Sequence, residues 1–250
     1  MIDVRGQVAF LTGAAEGLGH EVAKELARVG MRLALFDVQG AKLAKLADEL
    51  TSQGTEVLPL VVDLAEAGPT QDAVDRALAH YGTPRALIHN AALLRETLFA
   101  DVTFQNWRRE VDIILQAAFI LSKAVWPGMV EKHSGSIVFV SSGSALSGFI
   151  KEPAYTPGKH GQEGLMKVLA LAGQESNIAV NTTTTGAPID TPMSASHYTA
   201  EMRIGMVHPS RLAPAFAFLA GIDATFATGQ RFNAFQLSEA MQVARQTPVV

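Results

Sequence analysis

Seven short apolar runs punctuate the chain, at 7–13, 32–37, 56–63, 85–91, 136–142, 178–182 and 230–235. Each is too short for a helix, and most are apolar at consecutive rather than alternate positions. Strands covered on both faces have this pattern, because neither side meets water. Between the runs the spacing becomes helical. In 20–30, Val22, Leu26 and Val29 share one stripe, and Gly30 follows as a C-cap. Strands alternating with such helices predict an α/β fold with a parallel sheet and helices on both faces. No repeat or linker divides the sequence, so 1–250 reads as one domain. The stretch 190–208 breaks the rhythm: it carries Met193, His197, Tyr198, Met202, Met206 and His208 and reads as a flap. Residues 236–250 read as a short helical tail.

Composition narrows the function. Apolar residues make up 48% of the chain, enough for a sizeable core. The net charge is −4 with the signs interspersed, and without a basic stripe nucleic acid is not an expected partner. The chain has no cysteine, which excludes disulfides and thiolate chemistry. The seven histidines show no ligand spacing, so no metal is expected. The N-terminus lacks a signal-peptide layout. The most apolar stretch, 113–130, is interrupted by Gln116, Ser122, Lys123 and Pro127, short of the about 18 uninterrupted residues of a membrane span. The expectation is a soluble, cytoplasmic protein without a membrane partner.

The first run leads into TGAAEGLG, residues 12–19, and then a helix. Gly13, Gly17 and Gly19 at this spacing permit a tight turn, close approach to a phosphate and close helix–strand packing. The following helix start offers unpaired N–H groups to a pyrophosphate. Asp37 ends the second run, 18 residues beyond Gly19, near the interval for a carboxylate that accepts from ribose hydroxyls. Asp37 and Glu16 both disfavour a 2′-phosphate, and no Arg or Lys occupies 14, 15, 16 or 38. The expected cofactor is NAD rather than NADP.

With further motifs, the chain resembles a short-chain dehydrogenase/reductase. TGAAEGLG matches that family's TGxxxGxG, HNAA (89–92) is similar to its NNAG, and VSSGS (140–144) to its strand-end serine motif. YTPGK (155–159) matches YxxxK, with Ser142 at the usual interval of 13 residues before Tyr155. TGAPIDTPM (185–193) resembles the PGxxxT segment, and 218–232 the penultimate helix and last strand. The resemblance spans residue 5 to about 235. It implies a Rossmann-type doubly wound sheet of about seven strands and a homo-oligomer, a tetramer or a dimer. It also implies a cofactor site of Gly13, Glu16, Gly17, Leu18, Gly19, Asp37, Val38, Asp63 beside the adenine, Leu64, Asn90, Ala91, Ala92, Tyr155, Lys159, Ile189 and Thr191.

The expected reaction is hydride transfer between a secondary alcohol or ketone and the nicotinamide. Tyr155 is the candidate general acid/base. A free tyrosine has a pKa of about 10, and the ammonium of Lys159, four residues on, is expected to lower it. Ser142 is placed to donate to the substrate oxygen. By the resemblance, Lys159 also holds the nicotinamide ribose. Candidate substrate contacts are Ser144, Leu94, Phe149, Glu152 and Met193, with Leu93 and Met206 beside them. A carboxylate at Glu152 suits a polar or cationic substrate group.

Four features depart from the family pattern. Ile114 stands where the family has an asparagine that helps hold a water linking the lysine to solvent, which leaves only main-chain groups for the task. Thr185 replaces a proline, with one residue inserted after it, so the numbering of the contacts at Ile189 and Thr191 stays open. The last strand ends in NAF (233–235) instead of Asp-Gly-Gly, and 190–208 is shorter than many flaps in the family. Two readings stay open: an NAD-dependent dehydrogenase or reductase, and an NAD(H)-binding scaffold or sensor with little redox activity. Pro157 and Gly158 inside YTPGK fit a helix only if it begins no earlier than about Ala154, which puts Pro157 in the first turn. Gly158 is then expected to leave room for a close neighbour, the cofactor.

Overall fold

The computed structural model describes residues 2–246, with side chains to 243. All seven runs become strands: β1 Val8–Thr12, β2 Arg32–Asp37, β3 Val57–Val61, β4 Ala86–His89, β5 Gly135–Val140, β6 Ile178–Thr184 and β7 Arg231–Asn233. They form one parallel sheet in the order β3-β2-β1-β4-β5-β6-β7. The helices are α1 Gly17–Arg28, α2 Gly40–Ser52, α3 Ala67–Tyr81, α4 Phe104–Val111, α5 Ala117–Glu131, α6 Tyr155–Gly173, α7 Pro192–His197, α8 Ala213–Ala220 and α9 Ala234–Gln246. One π-turn, Asp112–Gln116, joins α4 to α5.

Successive strand residues face opposite sides, so the sheet splits the apolar side chains into two cores. Leu11, Leu35, Ile88 and Val138 pack with Val22, Leu26 and Phe216 on one face. Phe10, Phe36, Leu87 and Phe139 pack with Val74, Leu121 and Val125 on the other. This explains the unbroken apolar runs. β3 differs because it is the edge: Pro59 lies within it, where a missing N–H costs no ladder bond, and Val61 is 61% exposed. The helical run Phe104–Glu131 is long and apolar enough, by length and composition, to cross a membrane. Its residues Ala117, Leu121, Val125 and Met129 are buried in the second core.

α6 starts at Tyr155 with Ala154 as its N-cap, so Pro157 falls in the first turn, as the sequence requires. The neighbour that Gly158 admits is Ile114 in the π-turn and not, as expected, the cofactor. A Cβ built on Gly158 meets three atoms of the Ile114 side chain at 3.3 Å. The π-turn thus presses its branched side chain against α6 where glycine leaves room, and a methyl there would have to displace it slightly.

Two boundaries differ from the sequence reading. Phe235 belongs to α9 rather than the last strand, and the Arg211 guanidinium lies 4.9 Å from its ring centre. The helical tail therefore begins at Ala234, and 247–250 lie outside the described residues. The segment 190–208 is less irregular than expected. It contains α7, capped reciprocally by Thr191 and Ser194, and a bridge between Ile189 and Val207 pins its base.

Ile114 is fully buried. Ile114→Ala is expected to destabilise the protein by about 2–4 kcal/mol, and Gly158→Ala by about 1 kcal/mol net of its gain in helix propensity. Because the smaller side chain at 114 makes room for the new methyl at 158, the double variant should lose clearly less than the sum. Urea denaturation of the four proteins measures this; strict additivity would disprove the fit.

Candidate active site

β1 and β4 lie side by side where the strand order reverses, and their carboxyl ends form the crevice expected for a ligand. Gly13 has φ of +65°, and a Cβ on Gly19 would lie 1.9 Å from the Gly13 carbonyl oxygen. Neither position admits a side chain, so the backbone of the turn is bare. The loop after β4 is laced to it. Asn90 Nδ2 donates to the carbonyls of Thr12 and Gly13 at 3.2 and 3.0 Å, and the amides of Asn90 and Ala91 donate to Thr12 Oγ1 at 3.1 Å. Ala92 follows, half-buried. Glu16 is the N-cap of α1 but makes no side-chain cap; its carboxylate pairs with Lys42. The first amides of α1 therefore have no side-chain cap, and this bare cradle fits a pyrophosphate.

At the end of β2, Asp37 is 7% exposed and accepts from the amides of Ala15 and Gln39, both at 2.9 Å. These bonds hold its carboxylate rigidly beside the turn. Val38 is exposed beside it. Asp63 is engaged by Arg109 at 2.7 Å and by the Ala65 amide at 3.0 Å. Burial raises its pKa, but these two bonds outweigh that and leave it lowered. Leu64 and Leu18 point into the cores and can shape the site only through their backbone. Thr191 reaches the turn from the base of the flap, with its Cβ 3.4 Å from where a Cβ on Gly17 would stand. Ile189, half-buried, packs against the first core.

Ser142, Tyr155 and Lys159 come from the end of β5 and the first turns of α6. Lys159 is 1% exposed, with Nζ 5.5 Å from the centre of the Tyr155 ring. It donates to the Val140 carbonyl at 2.6 Å and to Gln162 Oε1 at 3.3 Å. Burial pulls its pKa down to about 7, against the raising effect of Glu163. Tyr155 departs from the expectation of a lowered pKa. Burial dominates and pushes it up to about 12; a hydrogen bond from Ser142 pulls it down, and the charges of Glu152 and Glu110 add to the rise. Without a ligand the phenol is held protonated. The Ser142 hydroxyl accepts from the Ser144 amide at 3.2 Å and lies 3.2 Å from Ser144 Oγ.

Several groups around the trio escaped the sequence reading. Glu163 accepts from Ser141 Oγ at 2.5 Å, from Thr182 Oγ1 at 3.0 Å and from Arg231. Arg231 also donates to the Ser142 carbonyl at 2.5 Å, so this ion pair braces the backbone of the candidate serine. Glu110, on α4, is 2% exposed, and burial pushes its carboxyl up to about 7. Gln162 and His89 are fully buried. Of these, Gln162 and Glu163 carried a usable signal, their i, i+3 and i, i+4 spacing from Lys159.

The candidate substrate contacts are less uniform. Ser144 is buried beside Ser142, and Glu152 Oε2 accepts from Thr156 Oγ1 at 3.1 Å. The Leu94 carbonyl lies 3.2 Å from His197 Nε2, which ties α7 to the loop after β4. Phe149 and Met193 are 53% and 37% exposed, so neither lines a closed apolar interior.

A family model described as short chain dehydrogenase matches residues 7–202. The chain is 30% identical over 234 residues to the cyclohexanol dehydrogenase of an Acinetobacter species, covering 90% of this chain and 92% of that one. It is 29% identical over 237 residues to the 3-oxoacyl-[acyl-carrier-protein] reductase FabG of Thermotoga maritima, covering 91% and 95%. A solved blue fluorescent protein from a metagenomic library, in complex with NADPH, matches with a TM-score of 0.84 at 25% identity, over 93% of this chain and 99% of that one. The chain belongs to the short-chain dehydrogenase/reductase family of nicotinamide-dependent oxidoreductases.

The low proton affinity of Lys159 has a consequence for stability. Between about 7, its pKa when folded, and its ordinary 10.5, the folded chain binds fewer protons than the unfolded one. Stability therefore rises with pH across that window, by at most about 1.4 kcal/mol per pH unit. Lys159→Met should lack this part of the slope. Urea midpoints of both proteins from pH 7 to 10 check it; parallel curves would show that the buried amine titrates normally.

Proposed function

We propose that the protein is an NAD-dependent oxidoreductase that transfers a hydride between the nicotinamide and a secondary alcohol or ketone, with Tyr155 as general acid/base. The observation that carries this reading is the convergence of Tyr155, Lys159 and Ser142 beside a bare glycine turn. A bound nicotinamide dinucleotide supplies the hydride acceptor or donor. The chain's own groups manage the proton. Tyr155, held protonated by burial, donates to the oxygen of a ketone as it becomes an alkoxide, and recovers that proton when the reaction runs toward oxidation. Ser142 donates a hydrogen bond to the same oxygen. Lys159 holds the nicotinamide ribose and keeps positive charge near the phenol.

The rigid, nearly buried carboxylate of Asp37 supports NAD over NADP, since a 2′-phosphate would meet its fixed negative charge. Asp63, Asn90, Ala91, Ala92, Ile189 and Thr191 complete the cofactor site. The substrate is a small molecule of small to medium size, met by Ser144, Leu94, Phe149, Glu152 and Met193. Exposed Phe119, Val168 and Leu171 on α5 and α6 support assembly with further copies of the chain, as a tetramer or a dimer. We place the protein in the cytoplasm.

Tyr155→Phe should keep its affinity for NAD(H) and lose roughly 10²–10⁴-fold in turnover. Nicotinamide absorbance with a panel of alcohols and ketones reads turnover, and cofactor fluorescence reads binding. Binding by the wild type without turnover of any panel member moves the reading to a scaffold or sensor. NAD(H) should bind more tightly than NADP(H), and Asp37→Ala should narrow that preference; tighter NADP(H) binding by the wild type refutes the cofactor assignment.

A further inference from the structure

A continuous strut of hydrogen bonds runs behind Lys159. Gln162, one turn further along α6, is fully buried and bonded at both ends of its amide. Lysine only donates and a carbonyl only accepts, so the orientation is forced. Oε1 takes the Lys159 ammonium at 3.3 Å, and Nε2 donates to the Ile114 carbonyl at 3.2 Å. The Ile114 carbonyl also lies 3.2 Å from His89 Nε2, and that of Ile113 3.1 Å from it. Nε2 must therefore carry the proton, which leaves Nδ1 to accept from Thr12 Oγ1 at 2.9 Å. Thr12 Oγ1 in turn accepts the amides of Asn90 and Ala91. Burial, together with the Lys159 charge, pulls the His89 pKa down to about 3, so the imidazole stays neutral and the tautomer is stable.

The strut ends on the π-turn, a distortion frequent at functional sites, whose Ile114 carbonyl faces the side-chain donors of both Gln162 and His89. Gly158 lets the turn approach α6 closely enough for the Gln162 amide to bridge the gap.

We infer that Gln162 is a positioning residue: by spanning from Lys159 to the Ile114 carbonyl, which His89 anchors, it holds the ammonium in place and sets its proton affinity. The inference rests on the reading of Lys159 as part of the site. Among the described residues, charged and titratable groups face Lys159 from two elements packed around it. Tyr155 and Glu163 come from its own helix, Glu163 being already paired with Arg231, and neutral His89 comes from β4. β5 contributes only the Val140 carbonyl, and the π-turn only the Ile114 carbonyl reached through Gln162.

The test titrates Lys159 directly, by NMR of the full-length protein labelled with 13C at the lysine ε-carbon, the resonance being assigned with Lys159→Arg. Gln162→Met removes the acceptor from a buried ammonium and should lower the proton affinity of Lys159 about tenfold, one pKa unit. Gln162→Glu keeps the shape, places a carboxylate beside the amine, and should raise it by at least as much. A merely structural role would lower the melting temperature of either variant without moving the titration. If folded Gln162→Met and Gln162→Glu both titrate with the wild type, the strut does not act on Lys159 and the inference falls. If the titrations move while the wild type turns over no substrate, the strut stands and the redox reading fails.

Discussion

A lysine amine on a residue with 1% of its surface exposed, Lys159, is the constraint around which this end of the fold is arranged. A buried cation is tolerable only where acceptors replace the water it has lost. Here those acceptors come from three elements: the last carbonyl of β5, the Gln162 amide on α6 and, through that amide, a carbonyl of the π-turn. Moving any one of them would strand the charge. The close packing of α6 against the π-turn is thus an electrostatic requirement as well as a steric one, and Gly158 and Ile114 are its steric expression.

The same burial explains the opposed proton affinities in the site. Removing water disfavours the charged form of each group, so it pushes Tyr155 up to about 12 and pulls Lys159 down to about 7. The two groups are neighbours, yet at 5.5 Å from the ring the ammonium does not overcome the desolvation of the phenol. A neutral phenol ready to donate suits reduction of a ketone. In the oxidising direction, the positive charge of an oxidised nicotinamide would favour the phenolate.

Ser142 is held by a second buried group. Arg231 from β7 and Glu163 from α6 close over the end of β5, with Ser141 and Thr182 completing the bonds of the carboxylate. The sheet brings these strands together because β5, β6 and β7 are neighbours in space although far apart in sequence. The candidate catalytic groups therefore stand on strand and helix ends, while the candidates Phe149 and Met193 are more exposed.

Much of this was legible from the sequence. The central strands, buried on both faces, are apolar at consecutive positions and so stood out, and the edge strands β3 and β7 still showed as short runs bounded by turns or charges. The glycine turn was equally clear, because a bare backbone at Gly13 and Gly19 admits no other residue. The start of α6 followed from Pro157, which fixes φ and lacks an N–H. What the sequence could not decide was which polar residues meet. Ile114 read as a loss because its side chain is apolar, but its carbonyl, in a π-turn that no residue pattern announces, accepts from Gln162. His89 and Gln162 read as unremarkable because their partners lie 25 and 48 residues away from them in the chain. Local chemistry settles helices, strands and turns, since those interactions span a few residues. The proton affinities of Tyr155 and Lys159 depend on how completely distant segments exclude water from them, and only the tertiary packing decided that.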